Sequence, residues 1–220
     1  MFHHFLTIST VCLLFLAVPF QALAGGITGK ISVKGLRSPA NVLVYVVKAP
    51  GFSTDLSNVN FIMDQKNLTF IPHILPVLVG STVHFPNYDK VAHNVFSLSR
   101  TKKFNLGSYK PGTTKTILFD KPGIVELRCD VHAEMGAYIM VMKNPYWAVS
   151  DAKGNFKIPD PAYLDQHGIK GVPDLLPGKY VIKTWHEKLK TVKKVVEVSE
   201  KGETALLLDL TRGNPSVLYK

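Results

Sequence analysis

Cys129-Asp130-Val131-His132-Ala133-Glu134-Met135 sets a thiol, an imidazole and a thioether in one short stretch after a strand-like run. Soft sulfur donors beside imidazole suit copper: a thiolate and two imidazoles in a trigonal plane, with a weak axial thioether, make a one-electron copper site. The stretch supplies three of these four donors. The second imidazole has to come from elsewhere. His93, in Val91-Ala92-His93-Asn94-Val95-Phe96, is the best candidate because it follows the strand-and-turn pattern Val83-His84-Phe85-Pro86-Asn87-Tyr88-Asp89. Taken singly these residues read blandly, cysteine as a small buried hydrophobe and methionine as core filler. Together they predict a metal site made of His93, Cys129, His132 and Met135.

Such donors need rigid elements to hold them, and the chain supplies strands. No amphipathic helix of any length is apparent; short β-rich runs alternate with Gly, Pro, Asn and Asp turns, which predicts an all-β protein built of sandwiches. Asn41-Val42-Leu43-Val44-Tyr45-Val46-Val47 is nearly continuously apolar, as are Val77-Leu78-Val79 and Tyr138-Ile139-Met140-Val141-Met142. Strands of that kind are buried on both faces. Residues 48–60 read as a loop, and the Pro-, Gly- and Asp-rich segment 160–177 has room for one short helical turn. Asp151-Ala152-Lys153-Gly154 reads as a hairpin turn between alternating strands.

Residues from about Phe61 to Met142 resemble the cupredoxins, the family of plastocyanin, pseudoazurin and amicyanin. The resemblance rests on Phe70-Ile71-Pro72, Val79-Gly80-Ser81-Thr82-Val83, Phe85-Pro86-Asn87, His93-Asn94-Val95, Lys121-Pro122-Gly123 and the short Cys-x-x-His-x-x-Met loop, which is similar to that of amicyanin. It implies a Greek-key β-sandwich holding one type 1 copper, with His93, Cys129 and His132 as equatorial ligands and Met135 as the axial one. It implies further that the Asn94 side chain ties the ligand loops together. The loop departs from amicyanin at Ala133, where proline is usual, and at Glu134, where an aromatic residue is common. An acid beside the loop would favour Cu(II) and lower the reduction potential.

The remaining chain resembles the smaller carboxypeptidase-regulatory-like sandwich, through Ile27-Thr28-Gly29-Lys30-Ile31-Ser32-Val33, Val149 to Pro159 and Leu176 to Lys183. The expected organisation is a copper domain over 51–145 inserted into a sandwich made from 25–50 and 146–220. The rival arrangement is two consecutive domains, with 25–50 belonging to the copper module. Cupredoxins of methylamine-utilisation systems offer the nearest such pairing. The sandwich class also leaves room for a weak carbohydrate or protein ligand, with Trp185-His186-Glu187 as candidate residues. An aromatic packed on its strand neighbours is the commoner use of such a tryptophan.

Residues 1–24 form an apolar run ending Ala22-Leu23-Ala24, which reads as a secretory signal peptide, with an uncleaved anchor as the competing reading. Cleavage would remove Cys12 and leave Cys129 alone in an exported, periplasmic or extracellular protein, where thiols normally pair. Copper ligation explains an unpaired thiol. A single cysteine also excludes zinc knuckles, c-type haem attachment and binuclear copper sites built on paired cysteines.

The 26 basic and 16 acidic residues leave a net charge of +10, which suits a redox partner with an acidic surface. The lysines are scattered without interleaved aromatics, so nucleic acid is not an expected partner. Nor is stable membrane insertion after cleavage. Catalysis at copper would need further histidine-bound metal centres, and no His-x-His cluster exists. The expectation is therefore a non-enzymatic one-electron carrier, ahead of a copper-storage or delivery protein and of a binding module with a structural copper domain.

Overall fold

Apolar runs bounded by turn residues become strands along the whole chain. They are β1 (Ile27–Lys34) and β2 (Leu43–Val46); then β3 (Phe61–Ile62), β4 (Asp64–Lys66), β5 (Thr69–Ile71), β6 (Ile74–Leu78), β7 (Ser81–Pro86), β8 (His93–Ser97), β9 (Phe104–Tyr109), β10 (Thr114–Phe119), β11 (Gly123–Arg128) and β12 (Gly136–Met142). They continue with β13 (Trp147–Val149), β14 (Asn155–Ile158), β15 (Gly178–Trp185), β16 (Lys193–Val198) and β17 (Thr204–Thr211). A single helix, α1 (Pro161–Gln166), stands among the described residues, in the segment expected to hold a helical turn. Asp160 caps it by accepting from the Tyr163 N–H, with proline in its first turn. The fold is all-β. The structure, a computed structural model, describes residues 25–49, 52–200 and 202–213. Residues 1–24, whose sequence reads as a secretory signal, lie outside them, Cys12 included.

Among the described residues the strands form four main sheets and one ribbon. Strands near the two chain ends share the sheets β14-β1-β17 and β13-β2-β15-β16. Strands between them form β10-β7-β3 and β6-β12-β11-β8-β9, with β4-β5 as a separate two-stranded ribbon. Parallel pairing of β3 with β7 and of β6 with β12 makes these inner sheets mixed.

β2 explains how the two halves fit. Val42, Val44 and Val46 pack with Ile27, Ile31, Leu206 and Leu208 in one hydrophobic cluster. Leu43, with half-buried Tyr45, packs with Phe61, Phe85, Val125 and Ile139 in the other. Successive side chains of a strand point to opposite faces, so a strand between two cores must be apolar at every position. β13 repeats the pattern, Trp147 facing one cluster and Ala148 the other. Each fully buried side chain of this size contributes roughly 1.5–3 kcal/mol.

One local expectation is corrected. Residues 151–154 do make a tight turn, closed by Gly154 N–H to the Asp151 carbonyl at 3.0 Å and by Asp151 N–H to the Asn155 carbonyl at 3.0 Å. Gly154 adopts φ +83°, and a Cβ there would collide with the Ile31 carbonyl oxygen. The flanking strands nevertheless diverge: β13 pairs with β2 and β14 with β1, in different sheets. The turn is a corner, not a hairpin.

Candidate metal centre

Register brings the donors together. β11 and β12 pair antiparallel with Arg128 opposite Gly136, so residues 129–135 are the connection between two paired strands. Within it, Cys129 N–H donates to the Met135 carbonyl at 3.3 Å, and Met135 N–H to the His132 carbonyl at 3.0 Å. These bonds curl the loop so that Cys129 and Met135 are buried and His132 is half exposed. β8 runs antiparallel to β11 with Phe96 opposite Arg128. Continuing past Arg128 into the loop therefore means moving back along β8 toward its first residue, His93.

The outcome is a three-donor cluster. The ligand atoms of His93, Cys129 and His132 all lie within 4.8 Å of one another. His93 Nδ1 and His132 Nδ1 face each other at 3.1 Å, and Cys129 Sγ lies 3.9 Å from His132 Nδ1. Metal bonds of about 2.0–2.1 Å to nitrogen and about 2.3 Å to sulfur separate neighbouring donors by roughly 3–4 Å. Two of the three separations match that range and the third lies within 4.8 Å, so small side-chain shifts would let all three donors grip a single small ion, and two imidazoles with one thiolate are a donor set for copper or zinc. A thioether as a fourth donor would favour copper. Met135, 1% exposed, is buried in the same hydrophobic cluster as Cys129.

His93 is fully buried, and its outward nitrogen is committed. Nε2 stands 2.9 Å from Asp89 Oδ2. The same Oδ2 accepts the Leu68 N–H at 2.7 Å, and Oδ1 accepts the Lys90 N–H at 2.7 Å. The Leu68 bond, then those from His93 and Lys90, hold the Asp89 carboxyl down at about 2. Leu68 reaches it from the β4–β5 turn, where Asn67 and Leu68 both have positive φ, at 53° and 57°.

A buried polar network fixes the chain between β7 and β8. Asn87, without exposed surface, donates from Nδ2 to the Val91 and Tyr109 carbonyls at 2.9 and 3.1 Å, and its Oδ1 accepts the Asp89 N–H at 3.0 Å. Gln65 donates to the Pro86 carbonyl at 3.0 Å and to the Tyr109 hydroxyl at 2.5 Å, and that hydroxyl donates to the Phe85 carbonyl at 3.1 Å. Burial pushes the Tyr109 hydroxyl up to about 12, opposed by the Gln65 bond and reinforced by the nearby Cys129 sulfur. The tyrosine is thus a neutral hydrogen-bonding strut beneath the site.

Other expectations fare differently. Asn94 does not tie the ligand loops: its Nδ2 donates to Asn105 Oδ1 on β9 at 2.8 Å, and its Oδ1 is buried without a hydrogen-bond partner. The β8–β9 register shifts between Asn94 and Phe96, and this irregularity accompanies a tie toward β9. Glu134 is exposed. Trp185 packs edge-on against Tyr138 with centroids 4.8 Å apart, beside a cavity of about 860 Å³. His167 is a packing residue, stacked on Phe61 at 4.9 Å and bonded through Nδ1 to the Asn60 carbonyl at 2.8 Å. His73 bonds Glu187 at 3.1 Å.

Sequence reasoning passed over Asp89, Asn87, Gln65 and Tyr109. Asp89 alone had a readable signal, a carboxylate four residues ahead of a candidate ligand. Among the described residues no helix is long and apolar enough to cross a membrane.

No protein-family model and no curated protein matches the chain. Solved structures similar to it include a purple cupredoxin from Nitrosopumilus maritimus, 24% identical, with 38% of this chain and 99% of that one covered and a TM-score of 0.34. A reduced-state variant of amicyanin is 18% identical, with 45% of this chain and 98% of that one covered and a TM-score of 0.37.

Proposed function

We propose that this chain binds one copper ion through His93, Cys129, His132 and Met135 and carries single electrons between redox partners. The observation that carries the reading is the approach of two imidazole nitrogens and a cysteine sulfur to within 4.8 Å of one another. Bound there, copper would supply a reversible Cu(II)/Cu(I) couple.

The chain's own residues account for the rest. Cys129 offers a buried sulfur that would bind a metal as thiolate. His93 anchors the inner side on a β-strand, while His132, half exposed, presents the ring edge at which a partner would dock. Donors fixed by paired strands move little when charge changes, which suits rapid electron exchange. Met135 would complete the set and leave no open position for a substrate, which favours a carrier over an enzyme. The net charge of +10 suits a partner with an acidic face.

In family terms the proposal is an exported cupredoxin with a short amicyanin-like loop, of the kind found with methylamine-utilisation systems. Its domain from 51 to 145 is inserted in a carboxypeptidase-regulatory-like sandwich made from 25–50 and 146–220. Support for the insertion comes from the pairing, since β1 and β2 share sheets with β13–β17 and β3–β12 pair among themselves.

Loading the purified protein with Cu(II) and recording its visible and electron-spin spectra tests the reading. An intense thiolate-to-copper band, lost in Cys129→Ser, is expected. A colourless wild type contradicts it.

A further inference from the structure

Asp89 is placed to do more than shape a turn. Its carboxylate accepts three hydrogen bonds at once, from Leu68 N–H and His93 Nε2 on Oδ2 and from Lys90 N–H on Oδ1, and 9% of its side-chain surface is exposed. The His93 ring has no exposed surface, so its Nε2 has no water to turn to. An ionised carboxylate only accepts, which makes Nε2 the protonated nitrogen and leaves Nδ1 with the lone pair. Nδ1 is the atom that faces His132 Nδ1 and belongs to the three-donor cluster.

We propose that Asp89 is the positioning residue of the metal centre: it fixes the tautomer and orientation of His93 and, through Nε2–H, raises the donor strength of Nδ1 so that the site favours Cu(II) over Cu(I). The proposal rests on the copper reading above. A carboxylate behind a ligating imidazole makes the ring more basic, and its loss commonly costs 10–100-fold in metal affinity. A more basic ligand stabilises the higher charge more, so the effect falls mainly on Cu(II).

The acceptor-only character is what the position demands. Three donors converge on two oxygens, so an asparagine in the same place would set its NH₂ against at least one N–H. Asp89→Asn removes the charge with little change of shape and is the informative variant. Asp120→Asn is the control. Asp120 is an exposed carboxylate paired with Lys102, just beyond Phe119, whose β7 partner Ser81 is at the opposite end of that strand from Pro86.

The experiment measures Cu(II) affinity and reduction potential for wild type, Asp89→Asn and Asp120→Asn, together with the ¹⁵N ring resonances of His93 in the metal-free protein. Expected for Asp89→Asn is a 10–100-fold loss of Cu(II) affinity with Cu(I) affinity largely kept. Each tenfold of that difference raises the potential by about 59 mV. Asp120→Asn should change neither. Equal effects of the two variants, or an unchanged potential in Asp89→Asn, overturn the proposal.

The metal-free measurement stands apart from copper and needs only wild type. Should Asp89→Asn fail to fold, or wild type give no copper colour, a His93 ring protonated at Nε2 with slow proton exchange still supports the positioning role. Protonation at Nδ1 refutes it.

Discussion

Leu43 and Val44 are adjacent on β2 and lie in different hydrophobic clusters, Leu43 with Phe61 and Phe85, Val44 with Ile27 and Leu206. One strand is a wall of both cores, so neither can loosen without the other. The two halves should therefore unfold in a single cooperative transition. Leu43→Ala should cost about 2–5 kcal/mol. Chemical denaturation followed by tryptophan fluorescence and by circular dichroism checks this. Two separate transitions, only one of them moved by the substitution, would contradict it.

Asn87 holds the chain between β7 and the first ligand. Asn87→Ala removes two donors and one acceptor from main-chain partners, of which the Tyr109 carbonyl is buried and would be left wanting at about 1–3 kcal/mol, the part-buried Val91 carbonyl and Asp89 N–H at less. A loss of about 3 kcal/mol is expected, with a several-fold weaker Cu(II) affinity because Asp89 loses its backbone anchor. A variant of wild-type stability by urea titration would show that solvent replaces those bonds.

His167 gives the fold a pH dependence. Burial, opposed in part by the Asn60 carbonyl, sets its imidazole below the ordinary value, and burial lowers His186 likewise. In the unfolded chain both take up a proton near pH 6.5. The unfolded state then holds more protons than the native one, so stability falls as pH drops below about 6.5 and levels off once the native imidazoles also protonate. His167→Gln should flatten that slope. An identical slope from thermal midpoints between pH 7.5 and 5 would assign the dependence elsewhere.

Glu134 is exposed beside the ligand loop, and solvent screens its field. Glu134→Gln should raise the reduction potential by less than Asp89→Asn does. Protein-film voltammetry on the two variants reads this order directly, and a larger shift for Glu134→Gln would reverse the ranking of the two carboxylates.

The all-β class was legible because turn residues and period-two or fully apolar runs are local properties. β2 was legible as a doubly buried strand, although not that its faces serve two different cores. That His93, Cys129 and His132 belong together could be read from ligand softness, whereas their spacing depends on the β8–β11 register, with Phe96 opposite Arg128. Asp89 was hidden because it reads as a turn residue until the Leu68 N–H, supplied by a separate ribbon, completes its coordination. Asn94 misled because a register irregularity accompanies a tie toward β9. The corner at Asp151–Gly154 misled because local turn chemistry does not say which sheet each strand will join.

A crystal structure of the Cu(II)-loaded protein, with anomalous scattering recorded on both sides of the copper edge, tests the central claim most directly. The account predicts one strong peak bonded to His93 Nδ1, Cys129 Sγ and His132 Nδ1. Copper bound elsewhere, or a peak that leaves the Cys129 sulfur uncoordinated, would contradict it.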